Sequence, residues 1–340
     1  MARKLRVLQI GCGGRAQTHV QAMVDCGQVE ITGICDIDEK KLNETADKHK
    51  IEKRYTNMEE AIKKSDSELV DIVTPPTIRL SIIEPALKAG AKAILIEKPI
   101  ALTPSEARKL IELGKERLIA VNTQYQWMPH WQKIWKLLEQ KAIGEIERIC
   151  CGTTTNILEQ GPHCLDLALK AARTAGLPEP EWVIAACTGL ERFGKFPVPA
   201  DTSATIGLGK SRIHLNQGPS SRPVPGEDSP WLHNHVDILG SAGRIYVSLN
   251  RGWKSWTAAG HESGFTGWPK NDGEAQSALF IELRDRLHAG TWREFPTCIA
   301  NAGKVSDIMF ACYASALDGG RVSLKTELPD SIVERLEKLK

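Results

Sequence analysis

Five short apolar runs recur through the first 122 residues, at Leu5–Ile10, Val29–Cys35, Leu69–Val73, Ala93–Glu97 and Leu118–Asn122, with helix-forming stretches between them. Runs this uniformly apolar have little polar face to offer water, so each calls for sheet neighbours and for helices on both faces. Strands alternating with helices are joined by crossovers, and crossovers make parallel pairs. The pattern predicts a doubly wound parallel sheet, an α/β domain over residues 1–123. Ligands of such sheets bind beyond the carboxyl ends of the strands, so the residues that stop each run are the ones the domain presents.

The first run stops at G-C-G-G-R-A, Gly11 to Ala16. Gly11 suits a tight turn, Gly13 with Gly14 lets backbone approach a pyrophosphate, and Ala16 lets the following helix lie close to the strand. The phosphates would rest on that helix's amino terminus. The second run stops at Asp36, twenty residues after Ala16, where a carboxylate accepts hydrogen bonds from adenosine ribose hydroxyls and repels a 2′-phosphate. NAD is therefore expected over NADP, with Arg15, Lys40 and Lys41 as the cations able to reverse that preference. The plainer role for Asp36 is to cap a helix over Glu39 to His49. The remaining runs stop at Thr74-Pro75-Pro76, at Glu97-Lys98-Pro99 and at Asn122. Pro99 biases the backbone before it and cannot donate to a ladder, so Lys98 leaves the strand and is presented. Thr74, Pro75, Glu97, Lys98 and Asn122 join the glycine turn, Arg15 and Asp36 as candidate cofactor contacts.

Beyond residue 123 the texture changes. Trp131, Ile134, Trp135 and Leu138 share a helical face, Gly144 supplies a stop, and shorter strand-like runs follow at 146–155, 182–188, 202–208 and 244–249. Strands framed by a few helices predict an α+β domain over 124–340, built on a mainly antiparallel sheet and serving substrate binding and oligomerisation. All nine tryptophans lie in this half. Trp131 and Trp135 read as core. Trp231, Trp253, Trp256 and Trp268, set among glycine, proline and polar residues, read as a binding surface or a dimer contact. The stretches 219–231 and 260–272 read as loops that select the substrate.

Glu159-Gln160-Gly161-Pro162-His163-Cys164-Leu165-Asp166 carries a second constellation. Proline is tolerated in the first turn of a helix and not deep inside one, so a helix starts near Gly161 with His163 in its first turn. The helix dipole there, and Lys98 if it is close, disfavour imidazolium, and a neutral histidine can serve as a base. Asp166, three residues on, shares its face and orients the imidazole; Glu159 positions substrate. Taken alone, His163 is more simply a structural histidine.

Composition narrows the alternatives. A net charge of +2, spread over 44 basic and 42 acidic residues without a block of one sign, gives no nucleic acid or membrane surface anything to hold. Nine cysteines, without C-x-x-C or a zinc-like spacing, read as reduced thiols of a cytoplasmic protein with no metal. The start is too short in apolar residues for a signal segment, and no stretch is long enough to span a membrane.

The motifs together resemble the glucose-fructose oxidoreductase, inositol dehydrogenase and rhizopine-catabolism family (Gfo/Idh/MocA). They are G-C-G-G-R-A at 11–16, T-P-P at 74–76, E-K-P-I-A-L-T at 97–103, E-Q-G-P-H-C-L-D at 159–166, I-L-G-S-A-G-R-I at 238–245 and A-C-Y-A-S-A-L-D-G-G-R-V at 311–322. The resemblance implies a Rossmann domain with an NAD(P) cofactor, a carbohydrate or cyclitol substrate, and homodimers or homotetramers formed through an open sheet. It also implies a catalytic pair, the lysine of E-K-P and the histidine of G-x-H-x-x-D, which fall on Lys98 and His163. The chain departs from the family at Glu159, usually Asp; near Arg79, where a histidine is usual after T-P-P; and at Gln126, where many members carry arginine. Tyr125 and Trp127, flanking Gln126, and Trp231 and His233 are the candidate substrate contacts.

The expected activity is hydride transfer between nicotinamide and a secondary hydroxyl of a sugar, cyclitol or sugar derivative. A redox-neutral glycosidase, working through transient oxidation at C3 and elimination, would use the same groups. A regulator that binds NAD without chemistry is the reading from another class, and the intact Lys98 and His163 argue against it.

Overall fold

The computed structural model describes residues 3–265 and 267–339. Packing divides the chain into two compact units. The first takes the chain through Leu102, Glu106–Trp127 and Asp272–Gly303; the second takes Thr103–Ser105, Met128–Asn271 and the chain from Lys304 onward.

The elements begin β1 (Leu5–Ile10), α1 (Gly14–Cys26), β2 (Val29–Cys35), α2 (Glu39–His49), β3 (Arg54–Tyr55), α3 (Met58–Lys64), β4 (Leu69–Ile72), α4 (Pro76–Lys88), β5 (Ala93–Glu97), α5 (Pro104–Leu113) and β6 (Leu118–Asn122). All neighbours in the six-stranded sheet, ordered β3-β2-β1-β4-β5-β6, are parallel. The order reverses at β1, which leaves a crevice beyond the carboxyl ends of β1 and β4. Every residue of β4, β5 and β6 is buried, which accounts for their unbroken apolar reading. The sheet has one strand more than the five runs predict: β3 is two residues long, too short to leave a periodic signal. Asp38 caps α2, its carboxylate accepting the N–H groups of Lys40 and Lys41 at 3.1 and 3.2 Å, a contact worth about 1 kcal/mol.

The chain continues with α6 (Pro129–Glu139), β7 (Ile146–Thr153), α7 (Gly161–Thr174), β8 (Trp182–Phe193), β9 (Phe196–Leu208), β10 (Ser211–Gln217), β11 (His235–Gly240), β12 (Gly243–Ser248), β13 (Gly252–Thr257), β14 (Gly260–Gly264), α8 (Lys270–Ala289), α9 (Ile299–Asp318), β15 (Val322–Ser323) and α10 (Ser331–Glu334). A nine-stranded sheet runs β14-β13-β12-β11-β7-β10-β9-β8-β15. Its neighbours are antiparallel except β7 and β10, so the α+β expectation holds. Helix α7 lies across β7, β10 and β11, and α6 packs on α7. Alternate residues of β10 are buried, as a strand covered on one face requires. Trp131 and Trp135 stack at 4.6 Å on the buried face of α6 and belong to the core, as their spacing predicts.

Two segments differ from the expectation. The stretch 260–272, read as a loop, contains β14 and the start of α8, while Thr266 within it lies outside the described residues. The second difference is the domain boundary. Residues 124–127 and most of α8 belong with the first unit, so the chain passes between the units at 127/128, four residues beyond the expected 123/124, and also at 102/103, 105/106, 271/272 and 303/304. The reason is polar: Glu282 on α8 accepts the Trp127 indole N–H at 2.6 Å, Asp272 accepts the Gln124 amide at 2.6 Å, and Thr297 donates to the carbonyl of Val121 at 2.7 Å.

Candidate dinucleotide site and active-site residues

The turn from β1 into α1 is built for close approach. Gly11 has φ +94°, and a Cβ placed on it would lie 2.4 Å from the Val73 carbonyl oxygen, so the turn presses against the end of β4. Gly13 and Gly14 are exposed, and no atom comes within 4 Å of a Cβ built on either. No side chain caps α1. A helix of 13 residues thus opens its first backbone amides to a surface clear of side chains, which favours an anion. Asp36 stands beside this turn at the end of β2, one carboxylate oxygen accepting Cys12 N–H at 2.7 Å and the other Asp38 N–H at 2.8 Å. The cap of α2 is Asp38 and not Asp36. Each Asp36 oxygen keeps a lone pair for a ribose hydroxyl. The glycine turn and Asp36 together fit a dinucleotide.

At the end of β5, Lys98 is half-buried. Its N–H donates to its neighbour Glu97 Oε2 at 3.1 Å, and the Lys98–Pro99 peptide is cis. Arg79, fully buried on α4, donates to the carbonyls of Pro99, Ile100 and Thr74, the last at 3.0 Å. Burial pulls its guanidinium down to about 10, with Glu97 and Glu106 opposing. The departure noted in the sequence near Arg79 is thus a clasp that ties the E-K-P turn to the end of β4 near Thr74-Pro75.

Glu97 points inward and is 8% exposed. Its Oε1 accepts from Arg15 Nε at 2.8 Å, His19 Nε2 at 3.0 Å and Asn122 Nδ2 at 2.8 Å. Burial pushes the Glu97 carboxyl up, but Arg15 and His19 hold it well below the usual range. Arg15 also reaches Asp272 at 3.4 Å and Gln276 at 3.2 Å. Arg15, Glu97 and Asn122, all expected among the cofactor contacts, are joined through the Glu97 carboxylate. Sequence reasoning missed His19, Asp71 and Gln276. The signals were there for two of them: His19 follows Arg15 by four residues on one helix face, and Asp71 is a charge inside a buried strand.

In the second unit, α7 starts at Gly161 with Pro162 in its first turn, and His163 and Asp166 are both 4% exposed. Gln160 Oε1 accepts the Asn234 amide at 2.8 Å, and Cys164 donates its thiol to Asn234 Oδ1. Gln217 lies beneath this turn, its Oε1 3.9 Å from a Cβ built on Gly161. Gln217 bonds the buried Cys164 thiol, and among the described residues the hydroxyls of Thr155 and Ser221 are buried without partners. A neutral amide in this place suits a ligand rich in hydroxyl groups. Glu159 is exposed, its N–H donating to Asn156.

The expected substrate contacts divide. Trp231 is 42% exposed and remains available to a ligand. His233 is buried, and its Nδ1 accepts Val224 N–H at 3.0 Å. Tyr125 and Trp127 are buried in the first unit, where the Trp127 ring stacks on Phe295 at 5.6 Å. Among the described residues, no cluster of three or more His, Cys, Asp or Glu could hold a metal, and no helix is long and apolar enough to cross a membrane.

Residues 5–125 match the GFO_IDH_MocA model, an oxidoreductase family with an NAD-binding Rossmann fold. A D-apiose dehydrogenase of Paraburkholderia graminis is 31% identical over 137 residues, 40% of this chain and 36% of that protein. The chain thus matches only about two fifths of the length of such curated relatives. Two solved structures share the fold over nearly the whole chain. An oxidoreductase from Agrobacterium radiobacter in complex with NAD+, L-tartaric acid and magnesium superposes with a TM-score of 0.80 at 21% identity, covering 96% of this chain and all of that one. A levoglucosan dehydrogenase in complex with NADH and levoglucosan superposes with 0.77 at 19% identity, covering 95% and 100%.

Proposed function

We propose that this chain, a member of the Gfo/Idh/MocA oxidoreductase family, is an NAD-dependent dehydrogenase or reductase acting on a secondary hydroxyl of a sugar, cyclitol or related derivative. The observation that carries this reading is the open turn at Gly13 and Gly14 beside the anchored carboxylate of Asp36, with Lys98 leaving the same sheet edge two strands away. The D-apiose and levoglucosan dehydrogenases above act on carbohydrates by name, and the neutral amide of Gln217 beneath the first turn of α7 agrees with a substrate of that class.

Nicotinamide, when bound, supplies the hydride acceptor or donor. The protein's share is the proton and the charge. Oxidation of a CH–OH centre needs its O–H proton removed as the hydride leaves, and His163 is assigned as the base that takes it. The Lys98 ammonium stabilises the developing alkoxide, or polarises the carbonyl in the reverse direction. Asp166 orients the imidazole, and Trp231 offers a face to the ring C–H groups of the substrate. The homodimer or homotetramer implied by the resemblance would use the outer face of the nine-stranded sheet, where Ile184 is 45% exposed.

Purified protein should carry or bind NAD(H), and a panel of sugars, cyclitols and glycosides should include one that changes nicotinamide absorbance. Bond cleavage with no net NADH would replace dehydrogenation by the redox-neutral route. A protein that binds NAD and turns over nothing on the panel would favour the regulator.

A further inference from the structure

His19 sits on α1 one turn after Arg15, with no solvent exposure. Its Nδ1 is 2.8 Å from Asp71 Oδ2 and its Nε2 is 3.0 Å from Glu97 Oε1. Carboxylates only accept, so satisfying both contacts requires a proton on each ring nitrogen, the imidazolium form. The Asn122 amide nitrogen, 2.9 Å from the same Nε2, spends its two protons on Glu97 and on Gln276 at 3.0 Å. Burial opposes charge on His19; Asp71 and the two hydrogen bonds overcome it, raising its pKa to about 9. The charged groups that face this ring and its partners are Arg15 on α1, Asp71 on β4, Glu97 and Lys98 at the end of β5, and Asp272 on α8.

We infer that His19 is a positioning residue for Lys98, acting through Glu97. The line of contacts runs from Asp71 through the imidazolium to Glu97 Oε1, and from the other oxygen of that carboxylate to the backbone N–H of Lys98. Glu97 is held by three donors on one oxygen, and Arg79 holds the carbonyls that follow Lys98. The backbone that presents the ammonium is therefore fixed from both sides. A displacement on the order of 1 Å in a catalytic group can lower turnover about 100-fold, so a tie of this kind has kinetic weight. Without His19, Asp71 loses a buried partner and Glu97 loses a donor, which frees its carboxylate to swing toward the Lys98 ammonium. The inference rests on the assignment of Lys98 as the alkoxide-stabilising group.

The test compares His19→Leu, which removes both donors, with His19→Gln, which keeps an N–H for Glu97 but no charge. His19→Leu should lower kcat by roughly 10- to 100-fold, leave the KM for NAD within about threefold, and still melt cooperatively. His19→Gln should recover most of the loss. A second measurement needs no turnover: acetic anhydride acylation of Lys98 in the protein without cofactor, followed against pH by peptide mass spectrometry. The Leu variant should move the Lys98 midpoint up by about one pH unit, the Gln variant much less. Equal loss in both variants would make the charge and not the tie responsible, and unchanged kcat and unchanged acylation in His19→Leu would overturn the inference. If Lys98→Met keeps parental turnover, the assignment of Lys98 fails, while the acylation profile still reports whether His19 governs its setting.

Discussion

The carboxylate of Asp36 accepts the backbone N–H of Cys12 at 2.7 Å, so the acid at the end of β2 is bonded to the glycine turn whose ligand it is expected to select. With Asp38 N–H on its other oxygen, it cannot rotate freely, and its remaining lone pairs point where the two backbone bonds leave them.

Asp36 should therefore set cofactor choice and also contribute to the turn. NAD should bind more tightly than NADP, and Asp36→Ala should narrow the gap while lowering stability by about 1–3 kcal/mol, the usual result of losing hydrogen bonds to a charged acceptor. Titrating both cofactors against both proteins, with urea unfolding alongside, checks it. Tighter NADP binding by the parent protein would remove Asp36 from the role.

Two glycines of one motif should fail differently. At Gly13, φ is −70° and a side chain meets nothing in the protein, so Gly13→Val should remove dinucleotide binding with little change in unfolding. At Gly11, positive φ and the Val73 carbonyl make even Gly11→Ala destabilising, by about 2 kcal/mol or more. Calorimetric melting and NAD titration of the two variants separate the effects.

Lys98→Met and His163→Ala should each reduce turnover at least ~100-fold, the lower range for proton-transfer catalysis, with NAD affinity little altered. Groups that serve one proton are far from additive, so the double variant should be scarcely worse than the poorer single one. The fall of kcat/KM on the acidic side, where the base is protonated, should vanish in His163→Ala. Independent, multiplicative losses would mean that the two residues do not share a step.

His130, on α6, is buried, both ring nitrogens lack partners among the described residues, and burial lowers its pKa to about 4. Between pH 4 and the unfolded value near 6.5, the unfolded chain binds a proton that the folded one refuses, so stability rises with pH in that window. Acidification to pH 4.5 should cost the parent roughly 2–3 kcal/mol through this group, on the scale of 1.36 kcal/mol per pH unit. His130→Phe should escape that cost. Urea unfolding at pH 7 and pH 4.5 measures it, and equal acid sensitivity in both proteins would assign the effect elsewhere.

What could be read from the chain follows the distance over which each feature is encoded. The turn at Gly11–Ala16, the stop at Glu97-Lys98-Pro99 and the helix start at Pro162 are local, written in residues that touch in sequence, and all three stand where the pattern places them. The inward turn of Arg15, Glu97 and Asn122 is not local. It is decided by His19, Asp71 and Gln276, which lie on α1, β4 and α8 and meet only once the sheet has formed. A motif assigns Glu97 to the edge of the sheet; only the packing of those other elements says which way its carboxylate faces.

The return of residues 272–303 to the first unit bears on how the protein is made. A ribosome that has reached Trp127 has finished every strand of the parallel sheet, but not Asp272 and Gln276, which bond to Arg15, Gln124 and Asn122. At roughly 5–20 residues per second, that nascent sheet waits on the order of ten seconds for its last helix. Over that interval the intervening chain must emerge without capturing its unfinished polar edge. A stand-alone version cut at residue 127 would repeat this half-made state permanently, whereas one that carries 272–303 on a short linker would complete it.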